Sequence, residues 1–231
     1  MLKIELHTHT DFDPLDRIPH SSRQLIDHAA ALGYHGLAIT LHDRFYDPAP
    51  DVSYARERGV VLIPGIERTI RGRHILLINF TKDVEQARTF EEIARLKARC
   101  QGLVVVPHAF YPTGTSLGHR LDSHHDVIDA IEYNAMYTRW LNFNERAAAW
   151  ARARGKPIVG NTDLHRLEQL GTTYTLVDSE PHSDAICAAI REGRVELRTQ
   201  PLASVRAAAI FAKMLVVGGL GRTIGAGGHR H

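Results

Sequence analysis

Residues 3–10 read Lys3-Ile4-Glu5-Leu6-His7-Thr8-His9-Thr10, an alternation that ends on two histidines. Such alternation is that of a strand, in which residues two apart share a side, so His7 and His9 converge on one point. Near the other end of the chain Asp163-Leu164-His165 repeats the device. Neutral imidazole and carboxylate are ligands for borderline divalent metals such as Zn, Mn and Fe. One His-x-His is a weak signal, but two such pairs with further acidic and histidine residues at strand ends between them form a strong one.

Outward from this stretch the pattern alternates strands with helices. Ser21-Ser22 reads as an N-cap before a helix from Gln24 to Leu32, which Gly33 ends. Strands are predicted over Gly36–Thr40, Val60–Ile63, Arg73–Phe80, Gly102–Val106, Val127–Tyr133, Pro157–Gly160 and Tyr174–Val177. Helices are predicted near Tyr54–Arg58 and over Phe90–Cys100, Asn142–Arg154 and Ser183–Glu192. The strand after Glu67 follows closely enough to form a hairpin with it. About seven strand–helix units predict an α/β chain with a mainly parallel sheet. No Gly-x-Gly-x-x-Gly follows the first strand, so a nearly closed barrel is preferred to an open dinucleotide-binding sheet.

At 231 residues and 44% hydrophobic content, one domain is expected, with residues 201–231 an appended helix and a Gly-rich tail. The opening alternation is a strand rather than a signal peptide, and no apolar run is long enough to span a bilayer. A net charge of +2 argues against an electrostatic grip on long nucleic acid. Cys100 and Cys187 lie far apart, which argues against a disulfide framework or thiolate metal site and suits a reducing cytosol. The chain holds 15 histidines, and most of the surplus sits where strands are predicted to end.

His7 and His9 end the first strand, His42 and Asp43 follow the second, and Glu67 follows Pro64-Gly65-Ile66 after the third. His108 follows Pro107, Glu132 and Asn134 end the next strand, and Asp163 and His165 end the one after. A polar set recurring at carboxyl ends of strands is where barrel enzymes gather their active sites. His74 begins a strand, and the hairpin folds it back toward Glu67.

In this order His7-x-His9, Ile39-Thr40-Leu41-His42-Asp43, Pro64-Gly65-Ile66-Glu67, Arg73-His74-Ile75-Leu76, Pro107-His108-Ala109-Phe110 and Gly160-Asn161-Thr162-Asp163-Leu164-His165 resemble the PHP (polymerase and histidinol phosphatase) family. The resemblance covers residues 1–198. It implies a distorted (β/α)7 barrel carrying two or three divalent metals (Mn, Fe or Zn) at the carboxyl ends of its strands. Carried over, His7, His9, Glu67 and Asp163 hold one metal, and Glu67 bridges to a second held by His74 and His108. A third takes His42, His165 and an aspartate of the first loop. The resemblance puts that aspartate slightly further from the histidine pair than Asp13 lies; Asp13 is the choice, Asp11 the alternative.

The implied chemistry is hydrolysis of a phosphomonoester or phosphodiester by a metal-bridging hydroxide. A small phosphorylated metabolite, a nucleotide or a short oligonucleotide end is the expected substrate. Asp43 or His42 is the candidate proton donor, and Arg44 and Arg139 are the candidate phosphate-binding arginines. His20, after Pro19 in the first loop, is left out of the ligand set as a loop residue with a spare ligand as its alternative role, and Glu132 and Asn134 are candidate supports for the ligands or substrate. Two departures stand out. Leu41 replaces a usual aspartate, and only one helix and one strand separate His74 from His108, where some relatives carry an inserted domain. A metal-binding scaffold, and an amide or lactone hydrolase on the same barrel, are the competing readings.

Overall fold

In a computed structural model that describes residues 1–203, strands and helices alternate much as the pattern predicts. The elements are β1 (Leu2–Glu5), α1 (Ser22–Ala31), β2 (Gly36–Ile39), α2 (Val52–Glu57), β3 (Val61–Ile70), β4 (Arg73–Ile78), α3 (Phe90–Lys97), β5 (Leu103–Val106), β6 (Ala130–Asn134), α4 (Asn144–Ala153), β7 (Ile158–Asn161), β8 (Thr173–Val177), α5 (Ser183–Arg191) and β9 (Val195–Thr199). Helix α1 starts where expected. Ser21 Oγ accepts from Gln24 N while the Gln24 side chain accepts from Ser21 N, so two otherwise orphaned N–H groups are satisfied reciprocally. The expected C-terminal helix and Gly-rich tail fall outside the described residues, apart from their first few positions.

The strands form one sheet in the order β7-β6-β5-β4-β3-β2-β1-β8-β9. It differs from seven mainly parallel units: the described residues form nine strands, and β3–β4, β4–β5, β1–β8 and β8–β9 pair antiparallel. The Arg71-Gly72 turn explains the first reversal, because both residues have positive φ (49° and 75°), as a tight hairpin requires. Strand β9 escapes the sequence reading because it is short and alternates with exposed charges, Glu196 and Arg198. The barrel nearly closes where Gly160 N donates to Thr175 Oγ1 (2.8 Å). Only glycine fits there: a Cβ on residue 160 would stand 2.7 Å from Leu197 Cδ1 and 2.8 Å from Tyr174 O.

One apolar cluster takes Ile4, Ala38, Ile63, Leu76, Leu103, Ala130, Val159 and Val177, a residue from each of β1 to β8, and adds Ile186, Ala189 and Ile190 of α5. Helix α5 sits at the amino end of β2, since a Cβ on Gly36 would come within 3.5 Å of Ile186 Cδ1. Helices α3 and α4 cover one outer face, and α1 and α2 another. The carboxyl ends of the strands are left for polar groups. Among the described residues no helix is long and apolar enough to cross a membrane.

Candidate metal centre

Backbone pairing continues past the strand ends and sets the ligands in register. Thr8 and Leu164 form a parallel bridge, with His9 N donating to Leu164 O and Leu164 N to His7 O, each at 3.0 Å. His42 and Glu67 form another, with Glu67 N donating to Leu41 O (3.1 Å) and Asp43 N to Glu67 O (2.9 Å). Four segments remote in sequence are thereby held side by side, and their side chains meet.

Glu67 Oε2 stands 3.2 Å from His7 Nε2, 3.4 Å from His9 Nε2 and 3.2 Å from His42 Nε2. Asp163 Oδ1 stands 3.4 Å from His7 Nε2 and 3.5 Å from His9 Nε2. With metal–ligand bonds near 2.0–2.1 Å, the edge of a coordination tetrahedron is about 3.4 Å. His7 Nε2, His9 Nε2 and Glu67 Oε2 are buried and have no hydrogen-bond partner. Each such orphan costs about 1–3 kcal/mol unless something satisfies it. Three of them facing one point, with a carboxylate on the fourth side, fit a divalent metal.

The other oxygen, Glu67 Oε1, lies 2.6 Å from His74 Nδ1 and 3.4 Å from His108 Nε2. One carboxylate therefore faces two sets of imidazoles, the arrangement the bridging expectation requires. His165 stands beside this set, its Nδ1 3.5 Å from Asp163 Oδ1.

The first loop brings two aspartates to the cluster. Asp13 Oδ2 accepts from His9 Nδ1 (2.9 Å), His42 Nδ1 (3.0 Å) and His42 N (3.0 Å), and its Oδ1 accepts from Leu15 N and Asp16 N. It orients two imidazoles, and with His9 and His42 it forms a group whose ligand atoms lie within 4.8 Å of one another. Asp16, which the motif reading passes over, stands 3.1 Å from His165 Nε2 and 3.7 Å from His42 Nδ1. The signal was the spacing: the resemblance asks for an aspartate beyond Asp13. Asp11 is exposed and stands outside the cluster. His20 Nε2 donates to His9 O (2.9 Å), which makes it a support for the ligand segment.

Behind the ligands lie two buried carboxylates. Glu132 Oε2 accepts from His7 Nδ1 (2.8 Å) and Asn161 Nδ2 (3.2 Å), and Oε1 from His108 N (3.0 Å) and Asn134 Nδ2 (2.9 Å). Ligating imidazoles are commonly aimed by such a partner. Glu5, which the sequence reading does not single out, accepts from His7 N and Thr162 N, both at 3.0 Å, and from Thr162 Oγ1 at 2.6 Å. Complete burial pushes its carboxyl up to about 8, against the pull of those hydrogen bonds.

The electrostatics ask for positive charge at the centre. Burial opposes ionisation of Glu67, yet His7, His108 and His74 hold it well below the usual carboxylate range. Burial likewise opposes protonation of His165, but Asp16 and Asp163 raise it to about 9. Asp163 (φ 56°) and His108 (φ 32°) are held in the left-handed region, a local cost that side-chain placement at functional sites often carries.

Three other candidates are placed elsewhere. Burial raises the Asp43 carboxyl, but Thr69 N (2.7 Å) and the Arg68 guanidinium outweigh it and keep Asp43 ionised. It is turned into this ion pair. Arg139 is exposed, and neither it nor Arg44 lines the cleft over Glu67. That cleft, of about 220 Å³, is edged beyond the ligands by Tyr111, Thr113, Thr115, Asn134 and Met136, with no arginine or lysine among its lining residues.

A family profile described as PHP-associated matches residues 142–195. No curated protein sequence matches the chain. Among solved structures, a two-domain protein from Bacteroides vulgatus ATCC 8482, containing a predicted PHP-like metal-dependent phosphoesterase, is similar with a TM-score of 0.66 at 18% identity, over 92% of this chain and 69% of that one. The lesion-specific endonuclease EndoQ from Pyrococcus furiosus gives 0.57 at 16% identity, over 91% and 66%. An endonuclease Q complex with a 27-mer duplex, an abasic lesion at its active site, gives 0.54 at 18%, over 85% and 58%. An amidohydrolase from Chromobacterium violaceum, with bound sulfate and no metal, gives 0.58 at 15%, over 88% and 99%. These likenesses establish the nearly closed α/β barrel and agree with the PHP resemblance. The duplex complex does not fit the expectation that long nucleic acid is excluded, because net charge does not decide what a local groove accepts.

Proposed function

We propose that this chain, which carries the PHP barrel fold, is a metal-dependent phosphoesterase that hydrolyses a phosphomonoester or phosphodiester in the cleft over Glu67. The observation that carries the reading is the set of buried, unpartnered atoms His7 Nε2, His9 Nε2 and Glu67 Oε2, spaced as ligands of one ion. His7, His9, Glu67 and Asp163 would hold one divalent metal, and Glu67, His74 and His108 a second. His42 and His165 would hold a third with an aspartate of the first loop, Asp13 beside His42 and Asp16 beside His165. Mn, Fe and Zn all suit this mixture of imidazole and carboxylate.

When bound, such metals lower the pKa of a water and offset charge on the phosphoryl oxygens. The chain's own groups prepare the site. Glu132 and Asp13 fix the His7, His9 and His42 rings, so these three are aimed before any metal arrives. Thr113 and Thr115 line the cleft, their hydroxyls 3.2 Å apart. A small phosphorylated metabolite, a nucleotide or an oligonucleotide end is the proposed substrate class, with nucleic acid duplexes not set aside. The amidohydrolase relative keeps amide hydrolysis as a second reading, to be separated by turnover.

The test is metal stoichiometry by elemental analysis on untagged protein, followed by turnover of p-nitrophenyl phosphate and bis(p-nitrophenyl) phosphate with added Mn or Zn. Two or three metals per chain and chelator-sensitive turnover are expected, both reduced in Glu67→Gln. Chelator-insensitive turnover would overturn the mechanism. Full loading without turnover across a phosphoester panel would favour the scaffold.

A further inference from the structure

Beyond the candidate ligands, the cleft over Glu67 is lined by Tyr111, Thr113, Thr115, Asn134 and Met136. The two threonines sit on a segment tied to the strand that carries His74. Thr115 O accepts from His74 N (2.9 Å), and Arg73 Nη1 donates to Gly114 O (2.6 Å) and Ser116 O (2.9 Å). Segment 113–116 therefore keeps a fixed place beside the metal centre.

The direction of its hydroxyl bonds follows from one carbonyl, which can only accept. Ser116 Oγ donates to His108 O (2.7 Å), so its single proton is committed. The 2.9 Å contact between Thr113 Oγ1 and Ser116 Oγ is then a donation by Thr113. That commits the Thr113 proton, and the 3.2 Å contact with Thr115 Oγ1 makes Thr115 the donor. Protons thus point inward along Thr115, Thr113 and Ser116 to His108 O, and the outer end of the chain offers lone pairs. Tyr111 Oη likewise donates to Met136 O (3.0 Å). Asn134 donates to Glu132 Oε1 and accepts from Met136 N, which leaves it at most one amide proton.

No hydroxyl lining the cleft has a proton to give, and no arginine or lysine stands among the lining residues. An ionised phosphoryl oxygen accepts only and finds its partners at the metal centre, whereas the alcohol half of the ester meets acceptors. No carboxylate other than the candidate ligands lines the cleft to pair with an ammonium group, so the matching donors are neutral hydroxyls. Tyr111 is held by its hydroxyl bond and by the Phe143 ring, 5.3 Å away between centroids, and with Met136 it offers apolar surface to a short carbon chain. At about 220 Å³ the cleft suits a small alcohol.

We infer that Thr115 is a specificity residue for the alcohol half of the ester, that this alcohol is a small neutral polyol, and that Thr115 Oγ1 accepts a hydrogen bond from one of its hydroxyls. The inference rests on the phosphoesterase reading above. In the reaction the oxygen of water bonds to phosphorus, the P–O bond to the polyol breaks, and a proton of that water ends on the released alcohol oxygen. Thr115 takes no part in those bond changes.

The experiment uses the full chain loaded with zinc. The kcat/KM values for glycerol 3-phosphate and n-propyl phosphate, two monoesters of equal charge and similar length, are measured for wild type, Thr115→Val and Thr115→Ser. Wild type should prefer the glycerol ester. Thr115→Val removes the acceptor at nearly constant shape and should lower the glycerol-to-propyl ratio about fivefold, the weight of one hydrogen bond. Thr115→Ser keeps the acceptor and should keep the ratio. A purely structural effect would slow both esters alike and leave the ratio unmoved. Equal use of both esters by wild type, or an unchanged ratio in Thr115→Val, overturns the inference. Calorimetric binding of 3,4-dihydroxybutylphosphonate and n-butylphosphonate, analogues that cannot be hydrolysed, separates the two readings. If neither ester turns over while the dihydroxy analogue binds more tightly in a Thr115-dependent way, the polyol site stands and the phosphoesterase reading falls. If the esters turn over and the two analogues bind equally, the polyol site falls alone.

Discussion

Thr8 and Leu164 face each other in a parallel backbone bridge, and each is the middle residue of a triplet whose outer residues belong to the candidate metal centre. The bridge aligns His7 and His9 with Asp163, so that both imidazoles reach one carboxylate oxygen. A slip of one residue would turn every ligand of the shifted triplet to the opposite side. The centre is thus as precise as the ladder beneath it.

Glu5 ties the same two segments a second time, through His7 N and Thr162. Glu5→Ala leaves three buried donors without their acceptor and is expected to cost about 1–3 kcal/mol. Glu5→Gln keeps an oxygen and should recover most of this. Denaturant unfolding of both variants decides: equal stabilities would deny the carboxylate its role.

Glu132 aims His7 through its Nδ1 and steadies His108 through its backbone N–H. Glu132→Gln should weaken metal binding about 10–100-fold while the fold persists. Competition against a chromophoric chelator measures this, and an unchanged affinity would contradict the aiming role.

Asp43 is held ionised by Arg68 and Thr69. Asp43→Asn should therefore lower thermal stability but leave the pH–rate profile with its alkaline limb in place. A variant that loses this limb would make Asp43 the proton donor after all.

Gly160 lies against β8 and β9, where a methyl group has no room. Gly160→Ala is expected to destabilise the chain by about 1–3 kcal/mol through forced displacement of Leu197 and the Tyr174 backbone. A variant as stable as wild type in urea would show that the barrel seam yields.

Asp51 accepts from Ser22 Oγ (2.6 Å), Tyr46 Oη (2.7 Å) and Arg23 Nε (2.9 Å). Burial raises its carboxyl, but these bonds win and hold it below the usual range. A depressed folded pKa contributes stability above the unfolded value, about 3.9, that is lost as pH falls through the folded one. Asp51→Asn should thus be less stable than wild type by about 1 kcal/mol at pH 7. The gap should narrow as pH falls below the usual carboxylate range, as denaturant unfolding at neutral and acid pH would show.

Much of the centre was legible in the chain. His7, His9, Glu67, His74, His108 and Asp163 sit at strand ends or in a hairpin, where local pattern sets side-chain direction. Asp16, Glu5 and the true positions of Asp43 and Arg44 were not legible. Asp16 sits on an irregular loop without a period, and Glu5 looks like any charge on an alternating strand until Thr162 is packed against it. Asp43 turns toward Arg68 because its own φ is 50°, which no residue pattern announces.

By itself the sequence determined the alternation of elements, the α1 cap and the kinds of side chain offered at the candidate site, because each depends on neighbours a few residues away. Only the tertiary structure decided that half the strand pairings are antiparallel, and that Glu67 Oε2 faces His7, His9 and His42 while Oε1 faces His74 and His108. It likewise decided that Asp13 orients histidines while Asp16 approaches His165. Those outcomes depend on ladder register and loop packing between segments remote in the chain, where a shift of one residue or one rotamer changes which atoms meet.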